Sequence, residues 1–399
     1  MNIRVIYPGS IYDRNGAAKV VRTFAESEKL FFDYCGHHVQ VLDSSTCESR
    51  DVVTHLSLTT TLKRWIVSIL GQKVIHQCAQ SYIGTKRHVE HVYWGRGHNI
   101  IDKYNRLGFN DDAFIFHDIF TCWGYVDYCK RYGQRVKPYI LVLHTNGERF
   151  KMTLINYPIL RGTRYLDVMN ERMDACLKYA RHIVFVSEKS ANTFESNNSA
   201  YADKVRSIRN GIADNKTNAN PVFDGKLRIV SVGTVCKRKN QIILIDCLKK
   251  ISQYIDASLT MVGDGPALED CKRHVKELDM EDKVRFTGPI DNVAEVLSEC
   301  NLFVMSSLDE GLPIAAIEAM RAKLPLILTD VGGCSELIDG NGFIVKPNVD
   351  DISNVIMALG NDVRMQQQMS ELSYRLYCEK YTLDSMISKY ADLIVDSMS

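Results

Sequence analysis

Short runs of apolar and β-branched residues alternate along this chain with longer segments whose apolar positions recur at helical spacing. Such alternation is typical of βαβ units, in which helices join parallel strands and cover both faces of a sheet. The runs that predict strands are residues 3–7, 39–42, 114–116, 139–143, 183–186, 227–232, 259–262, 284–287, 302–305, 326–329 and 343–345. The segments that predict helices are residues 17–34, 241–254, 267–278, 293–300, 313–322 and 352–358. The pattern therefore predicts an α/β protein built on doubly wound parallel sheets.

The length of the chain favours two domains with separate cores, because 399 residues are about twice the size of a usual single domain. Around residues 210–226 the sequence becomes polar and rich in turn-forming residues, and it loses any regular period. An exposed linker has this composition. We therefore place the domain boundary between residues 215 and 216.

Composition and charge exclude several classes of protein. Hydrophobic residues make up 45% of the chain and charged residues 24%, which is unlike disordered or fibrous proteins. No uncharged apolar run approaches the roughly 18 residues needed to cross a bilayer. The net charge is only +1, yet residues 1–220 carry 30 basic against 21 acidic side chains, and residues 221–399 carry 19 against 27. The two halves are therefore expected to face different partners.

Residues 52–106 are strongly basic. They contain eight Lys and Arg against two acidic residues, together with five His and with Trp65, Tyr82, Tyr93 and Trp94 interleaved. This mixture suits a peripheral contact with an anionic membrane surface, which would bring the protein to a lipid-linked acceptor. A surface for a soluble anionic acceptor, or a solvated face, fits the same composition. Nucleic acid is disfavoured, because no zinc-finger, helix-turn-helix or RNP-like pattern accompanies the charge.

A basic loop follows the predicted strand at 227–232, at the kind of strand end where open parallel sheets bind ligands. It begins at Gly233, and Lys237, Arg238 and Lys239 precede the next helix. Cations at a helix N-terminus suit a diphosphate, although a solvated charge run would have the same sequence.

A glycine pair follows the next predicted strand. Gly263 and Gly265 would let the backbone turn tightly or approach a ligand closely. A dinucleotide fingerprint requires Gly or Ala at the sixth position of this motif, where the chain has Leu268, and no acidic ribose partner is evident about 20 residues later. A nicotinamide cofactor is therefore disfavoured.

The segment after the predicted strand at 302–305 is the most informative. Glu310 lies in a loop, and Pro313 near the first helical position opens the helix that follows. Glu318 falls about 1.5 turns into that helix, among apolar residues, where a buried carboxylate needs a partner. The two vicinal hydroxyls of a ribose would supply one. A salt bridge to a neighbouring helix is the structural alternative.

These loops belong to an ordered series of motifs that spans about 120 residues. The series is Val232-Gly233, Lys239-Asn240, Gly263-x-Gly265-Pro266, Phe286-x-Gly288, Ser307, Glu310-Gly-Leu-Pro313, Glu318-Ala-Met320, Pro325, Gly332-Gly333 and Glu336. It resembles the donor domain of retaining GT-B glycosyltransferases of family 4, the glycosyl transferases group 1. The first half resembles the partner domain of these enzymes more loosely, and poorly between residues 45 and 110.

The resemblance implies the GT-B fold, in which two Rossmann-like domains face each other across a cleft. Residues 1–215 would bind the acceptor, residues 216–376 would bind the nucleotide-sugar donor, and a helix near 377–399 would pack back onto the first domain. The implied catalytic residues are Glu310, Lys239 and His117. The implied donor-binding residues are Gly16, Gly233, Lys237, Arg238, Gly263, Gly265, Pro289, Gly311, Leu312, Pro313 and Glu318. His144 and Asp118 are the candidates on the acceptor side, and no metal ligand is implied.

Four of these positions match specific roles in the family. Glu318 matches the residue that holds the ribose hydroxyls, and Glu310 the residue that contacts hydroxyls of the donor sugar. Lys239 matches a cation at the diphosphate, and His117 the histidine near the transferred sugar.

The chain departs from the family pattern at one position. The family usually has an arginine immediately after the glycine of Val232-Gly233, where it supplies a second cation to the diphosphate. This chain has Thr234 there. Lys237 or Arg238 is the expected substitute, since both lie in the same loop. Without a substitute, stabilisation of the leaving diphosphate would weaken by about 2–4 kcal/mol.

The implied activity is transfer of a hexose or N-acetylhexosamine, with retention of configuration, from a nucleoside diphosphate sugar to a glycan, lipid-linked or protein acceptor. UDP is favoured over GDP, and neither a metal nor another cofactor is expected. A catalytically silent GT-B subunit that binds another glycosyltransferase, and a sugar-nucleotide epimerase, are the alternatives. The 12 cysteines include no C-x-x-C pair and no secretion signal is evident, so we expect a protein of the cytoplasm or of the inner face of the cell membrane.

Overall fold

The computed structural model describes residues 1–13, 15–46, 81–214 and 220–398, which form two six-stranded parallel sheets. The strands of the first sheet are β1 (Asn2–Ile6), β2 (His38–Leu42), β3 (Ala113–Phe116), β4 (Tyr139–Leu143), β5 (His182–Phe185) and β6 (Val205–Ser207), in the spatial order β2-β1-β3-β4-β5-β6. Those of the second are β7 (Leu227–Val232), β8 (Ala257–Val262), β9 (Val284–Gly288), β10 (Leu302–Met305), β11 (Leu326–Thr329) and β12 (Gly342–Val345), in the order β12-β11-β10-β7-β8-β9.

Helices cover both faces of each sheet. Those of the first half are α1 (Gly16–Glu26), α2 (Glu28–Cys35), α3 (Tyr82–Val89), α4 (Gly95–Arg106), α5 (Ile119–Arg131), α6 (Lys151–Asn156), α7 (Arg164–Tyr179) and α8 (Glu188–Asn197), with a π-helical turn at Glu90–Trp94. Those of the second half are α9 (Ile242–Ile251), α10 (Leu268–Glu277), α11 (Val293–Ser298), α12 (Ile314–Arg321), α13 (Val349–Gly360), α14 (Val363–Lys380) and α15 (Leu383–Met398). Every residue of β3, β4, β10 and β11 is buried, as expected for parallel strands that helices cover on both faces.

The strand pattern of the sequence is confirmed, because all eleven predicted strands are present with ends shifted by at most two residues. β6 was not predicted, since three residues at the edge of a sheet carry too little pattern. The predicted helix at 17–34 is two helices, α1 and α2. The backbone leaves helical geometry at Ser27, whose N–H bonds the carbonyl of Phe24.

The two domains are joined by two adjacent chain crossings. Ile212 of the first crossing and Thr382 of the second form a parallel bridge, in which the N–H of Ile212 bonds the carbonyl of Tyr381 at 3.1 Å. The N–H of Leu383 returns a bond of 2.8 Å to the carbonyl of Ile212. The two crossings are therefore tied together where the chain passes between the domains. The boundary predicted between residues 215 and 216 lies outside the described residues.

The C-terminal helix α15 packs on the first domain, against α2. The hydroxyl of Tyr34 donates to Asp384 Oδ1 at 2.7 Å, and Nε2 of His182 lies 2.9 Å from Asp396 Oδ2. Tyr390 is fully buried and meets the ring of Phe24 edge-on, with ring centroids 4.8 Å apart. The chain therefore leaves the first domain, builds the second and returns to brace the first.

Among the described residues, no helix is both long enough and apolar enough to span a membrane.

The packing of α15 generates a stability prediction. Tyr390→Ala should lower the free energy of unfolding by about 3–5 kcal/mol, because it leaves a cavity beside Phe24. Urea-induced unfolding followed by circular dichroism measures this change. Tyr254→Ala is the matched control, since that ring is 69% exposed and its removal should change stability by no more than about 0.5 kcal/mol. Equal effects of the two substitutions would contradict this account of α15.

Candidate functional site

The strand order of the second sheet reverses between β7 and β10, which are neighbours in space although two strands separate them in sequence. Helices leave the two strands toward opposite faces, so a crevice opens at their carboxyl ends. The loops that begin at Gly233 and Ser306 border this crevice. The basic loop and the Glu310 segment are therefore brought together, as the sequence predicts.

Glycines allow the loops of the crevice to approach one another. Gly233 has φ +144° and Gly263 has φ +133°. A Cβ atom on Gly263 would lie 2.2 Å from the carbonyl oxygen of Gly233, and one on Gly265 would lie 2.3 Å from that of Val235. No side chain fits between the two loops at Gly263 or Gly265, and the positive φ of Gly233 is one that other residues rarely adopt.

Glu310 is the centre of a buried ion cluster. Its Oε1 lies 2.6 Å from Lys239 Nζ and 3.1 Å from Arg238 Nη1, and the side chain is only 8% exposed. Arg238 also donates 2.7 Å to the carbonyl of Asp309. Burial raises the pKa of Glu310, but the two cations outweigh that effect and leave the pKa below its usual range. Glu310 is therefore an ionised acceptor that is paired with two cations.

The segment that follows Glu310 touches both domains. A Cβ atom on Gly311 would lie 3.1 Å from Val186 Cγ2 and 3.2 Å from the carbonyl oxygen of His144. Nδ2 of Asn210 donates 3.0 Å to the carbonyl of Leu312. Pro313 is the N-cap of α12, one position earlier than predicted. The N-terminus of α12, with its free N–H groups, is thus fixed at the junction of the domains.

Glu318 forms an ion pair across the cleft. Its side chain lies on α12 and is 9% exposed, and its Oε1 contacts Nζ of Lys19 on α1. In the free protein Glu318 therefore forms a salt bridge to a neighbouring helix, which was the alternative to a ribose contact. Lys19 was not predicted from the sequence; its position three residues after Gly16, in the first turns of α1, was the available signal.

The loop that leads to Gly16, a predicted donor-binding residue, is braced by the first domain. The N–H of Ile11 donates 2.8 Å to Asp43 Oδ2, and the guanidinium of Arg22 donates to the carbonyl of Ile11 at 2.7 and 2.8 Å. Asn15 caps α1 by accepting from the N–H of Ala18 at 2.9 Å. A Cβ atom on Gly16 would meet nothing within 4 Å, so open space lies beside the first residue of α1.

His117 and His144 form a buried pair at the ends of β3 and β4. His117 Nδ1 lies 2.9 Å from His144 Nε2, and the rings are nearly parallel. Burial lowers the pKa of His144 to about 4, and burial together with His144 lowers the pKa of His117 well below its usual range. Both rings are thus neutral at neutral pH. His117 Nε2 is buried and has no hydrogen-bond partner among the described residues.

For three other predicted residues, the structure gives less support for a role in the site. Asp118 is the N-cap of α5, and its oxygens accept from the N–H and hydroxyl of Thr121 at 2.8 and 2.7 Å. This capping role explains the aspartate without any contact to an acceptor substrate. Pro289 is exposed and follows the edge strand β9. Lys237 is exposed and makes no ion pair with any described residue. Thr234, at the position where the family has arginine, is also exposed.

The basic segment is only partly a surface. Residues 52–80 lie outside the described residues. In the remainder, Lys103 is buried, and Nζ donates to the carbonyls of Ser44 and Thr46 at 3.2 and 2.5 Å. Trp94 is also buried, in contact with the guanidinium of Arg172. Lys86 and Arg87 are exposed. Lys103 and Trp94 therefore cannot contribute to a membrane or acceptor contact, because one ties down the chain after β2 and the other lies in the core.

No group of three or more His, Cys, Asp or Glu side chains in the described ranges is placed to hold a metal ion.

The second half of the chain matches a known family of proteins. Residues 213–375 match the family described as glycosyl transferases group 1. The chain is similar to the O-antigen biosynthesis glycosyltransferase WbnH of Escherichia coli, with 32% identity over 168 residues, 42% of this chain and 46% of WbnH. It is similar to N-acetyl-alpha-D-glucosaminyl L-malate synthase of Bacillus anthracis, with 29% identity over 171 residues, 42% of this chain and 45% of that enzyme. The chain thus matches less than half the length of either relative.

The likeness of fold extends over the whole chain. The crystal structure of HepE from Anabaena in complex with UDP-glucose superposes with a TM-score of 0.70 and 16% identity, and it covers 100% of both chains. The two facing Rossmann-like domains are therefore a GT-B fold, as the sequence predicts. The ordered motifs, the ion cluster at the switch point and the match to the glycosyl transferases group 1 family all lie in the same domain.

Proposed function

We propose that this chain is a glycosyltransferase that uses a nucleoside diphosphate sugar as donor. The observation that carries the proposal is the buried cluster of Glu310, Lys239 and Arg238, which lies at the switch point of the donor-side sheet beside the N-terminus of α12. A cluster of this kind supplies what the reaction needs: a fixed carboxylate for sugar hydroxyls and cations for a leaving diphosphate.

Lys239 and α12 stabilise the leaving group in this proposal. The diphosphate gains charge as its bond to the anomeric carbon breaks, and positive charge placed in advance stabilises that change. The ammonium of Lys239 and the N-terminal N–H groups of α12 provide such charge. When the donor binds, sugar hydroxyls bond to Glu310 in place of Lys239, and Lys239 turns to the phosphate.

The transfer is proposed to retain the anomeric configuration and to need no metal ion. The bond between the anomeric carbon and the diphosphate oxygen breaks, and the acceptor oxygen bonds to the same face of the sugar. The acceptor's proton passes to the leaving phosphate. The family resemblance supports retention. The cations Lys239 and Arg238 at the switch point support a metal-free mechanism.

We propose UDP as the nucleotide and a cell-surface glycan as the product. HepE, which shares the fold, was solved with UDP-glucose, and this supports a UDP-sugar donor. The likeness to WbnH supports a role in O-antigen or related polysaccharide synthesis, with a glycan or lipid-linked acceptor. Lys86 and Arg87 of α3 are exposed. A peripheral contact between these cations and an anionic membrane would bring the protein to such an acceptor.

A catalytically silent subunit is the second candidate, and one observation favours it. Thr234 is uncharged, and Arg238, one of its two expected substitutes, is already paired with Glu310. Calorimetry with UDP, GDP and ADP separates the candidates, because a silent subunit should bind no nucleoside diphosphate. An epimerase would instead convert a nucleotide sugar without any acceptor.

Removing the helical carboxylate tests the donor site. Glu318→Ala should weaken nucleoside diphosphate binding by about 10- to 100-fold, because a charge-assisted hydrogen bond to the ribose is lost. Isothermal titration calorimetry measures the change, and thermal unfolding checks that the fold is intact. Glu371→Ala, at an exposed glutamate of α14, is the control. Equal affinity in the Glu318 variant and the wild type would remove the ribose role.

Removing the buried lysine tests stabilisation of the leaving group. Lys239→Ala should lower kcat by roughly 100- to 1000-fold with a smaller change in KM, since its charge matters most as the diphosphate departs. Release of nucleoside diphosphate during sugar transfer is the measurement. Lys239→Arg should recover part of the rate, and Lys276→Ala, at an exposed lysine of α10, should behave like the wild type. An unchanged kcat in Lys239→Ala would contradict the assigned role.

The neutral histidine pair predicts a pH dependence of stability. In the unfolded chain His144 takes up a proton near pH 6.5, whereas the folded protein resists this until about pH 4. Between these values the unfolded state binds more protons, so the contribution to stability is complete above pH 6.5 and is lost as the pH falls toward 4. His144→Gln should therefore flatten the fall of Tm across this window, and His91→Gln, at an exposed histidine, should not. Parallel Tm profiles of wild type and His144→Gln would show that the pair is not held neutral.

A further inference from the structure

The ion pair between Lys19 and Glu318 joins α1 of the first domain to α12 of the second. Glu318 is almost fully buried on α12, whereas the side chain of Lys19 is 42% exposed. The carboxylate is therefore fixed in the cleft, while the ammonium reaches it from the opposite wall and keeps access to solvent. Of the two partners, Lys19 is the one that can move.

The charge balance of the cleft is incomplete without Lys19. In the free protein Lys239 and Arg238 both pair with Glu310, and Glu318 pairs with Lys19. A nucleotide sugar adds a diphosphate that carries about two negative charges, and such charge is stable in a partly buried site only when cations match it. Thr234 supplies none. Lys19 is the additional cation that the structure already places at a donor-site carboxylate.

The position of Lys19 also suits a phosphate. It lies on α1 three residues after Gly16, and open space borders the first residue of that helix. The N-terminus of α1, an 11-residue helix, directs N–H groups and positive potential toward this space. In a nucleotide the ribose and the α-phosphate are separated by one methylene group. The long, partly exposed side chain of Lys19 allows its ammonium to move from the ribose carboxylate to the phosphate by a change of rotamer.

We propose that Lys19 is the second diphosphate-binding cation of this protein and that it acts by exchange. In the free protein its ammonium neutralises Glu318. When the nucleotide enters, the ribose hydroxyls take over Glu318, and Lys19 turns to the diphosphate. The cation absent at position 234 is thus supplied from the other domain. This inference rests on the proposed use of a nucleoside diphosphate sugar, and it assigns to α1 a binding role that also draws the domains together.

The exchange predicts opposite effects on two related probes. Lys19→Met should weaken UDP binding by about 10- to 100-fold, because a charge-assisted contact to phosphate is lost. The same variant should bind uridine as well as the wild type or up to about fivefold more tightly, because no ammonium competes for Glu318. Lys19→Arg should restore UDP binding in part. Calorimetry with UDP, and competition against UDP for uridine, provide both values.

The controls separate this inference from the function on which it rests. Lys29→Met removes the same charge from an exposed position of α2 and should leave both affinities unchanged. In a Glu318→Ala background, Lys19→Met should still weaken UDP binding, since the phosphate contact persists without the ion pair. If the wild type prefers GDP or ADP, that nucleotide and its nucleoside replace the uridine pair.

Each remaining outcome has a defined meaning. If the wild type binds UDP and Lys19→Met binds it equally or more tightly, Lys19 serves only to join the domains through its ion pair with Glu318, and the exchange is wrong. If UDP and uridine weaken together, Lys19 contacts the ribose side and the diphosphate assignment is wrong. If the wild type binds none of UDP, GDP and ADP, the proposed function itself fails.

Discussion

A carboxylate that is removed from water must be paired, and the pairing of Glu310 determines how the donor-side crevice is built. Its two cations come from the loop after β7, while Glu310 comes from the loop after β10. A backbone hydrogen bond also joins the two loops, because the N–H of Leu308 donates 2.7 Å to the carbonyl of Arg238. Loss of either side would leave an uncompensated charge in a buried place. The cluster thus fixes both edges of the crevice and keeps a charged acceptor ready for a ligand.

The second constraint is the close approach of the domains around the Glu310 segment. Gly311 lies against His144 and Val186, and Asn210 binds the carbonyl of Leu312. The bridged crossings at Ile212 lie on the same side of the molecule, so this region acts as the closed edge of the cleft. The ion pair of Glu318 with Lys19 then lies between the two walls of the cleft. A site built in this way joins ligand binding to domain closure without any additional element.

Much of the fold followed from the sequence because its cause is local. A parallel strand that is covered on both faces must be a short apolar run, so β4, with all five residues buried, was visible without any structure. The crevice could be predicted for the same reason, since loops after neighbouring parallel strands share one edge of a sheet. Asp118 was a different case. Its cap of α5 is local chemistry, an aspartate three residues before Thr121, and that signal was available although the family resemblance pointed elsewhere.

The sequence by itself determined the strands, the loops after them and the carboxylates and cations within those loops, because each depends on residues close together in the chain. Only the tertiary structure decided which charges meet. Lys19 and Glu318 are 299 positions apart, and no periodicity relates them. Their contact exists because the crossings and α15 hold the two domains together at one angle. In the same way, the burial of Lys103 depends on carbonyls near the end of β2 that local pattern cannot place beside α4.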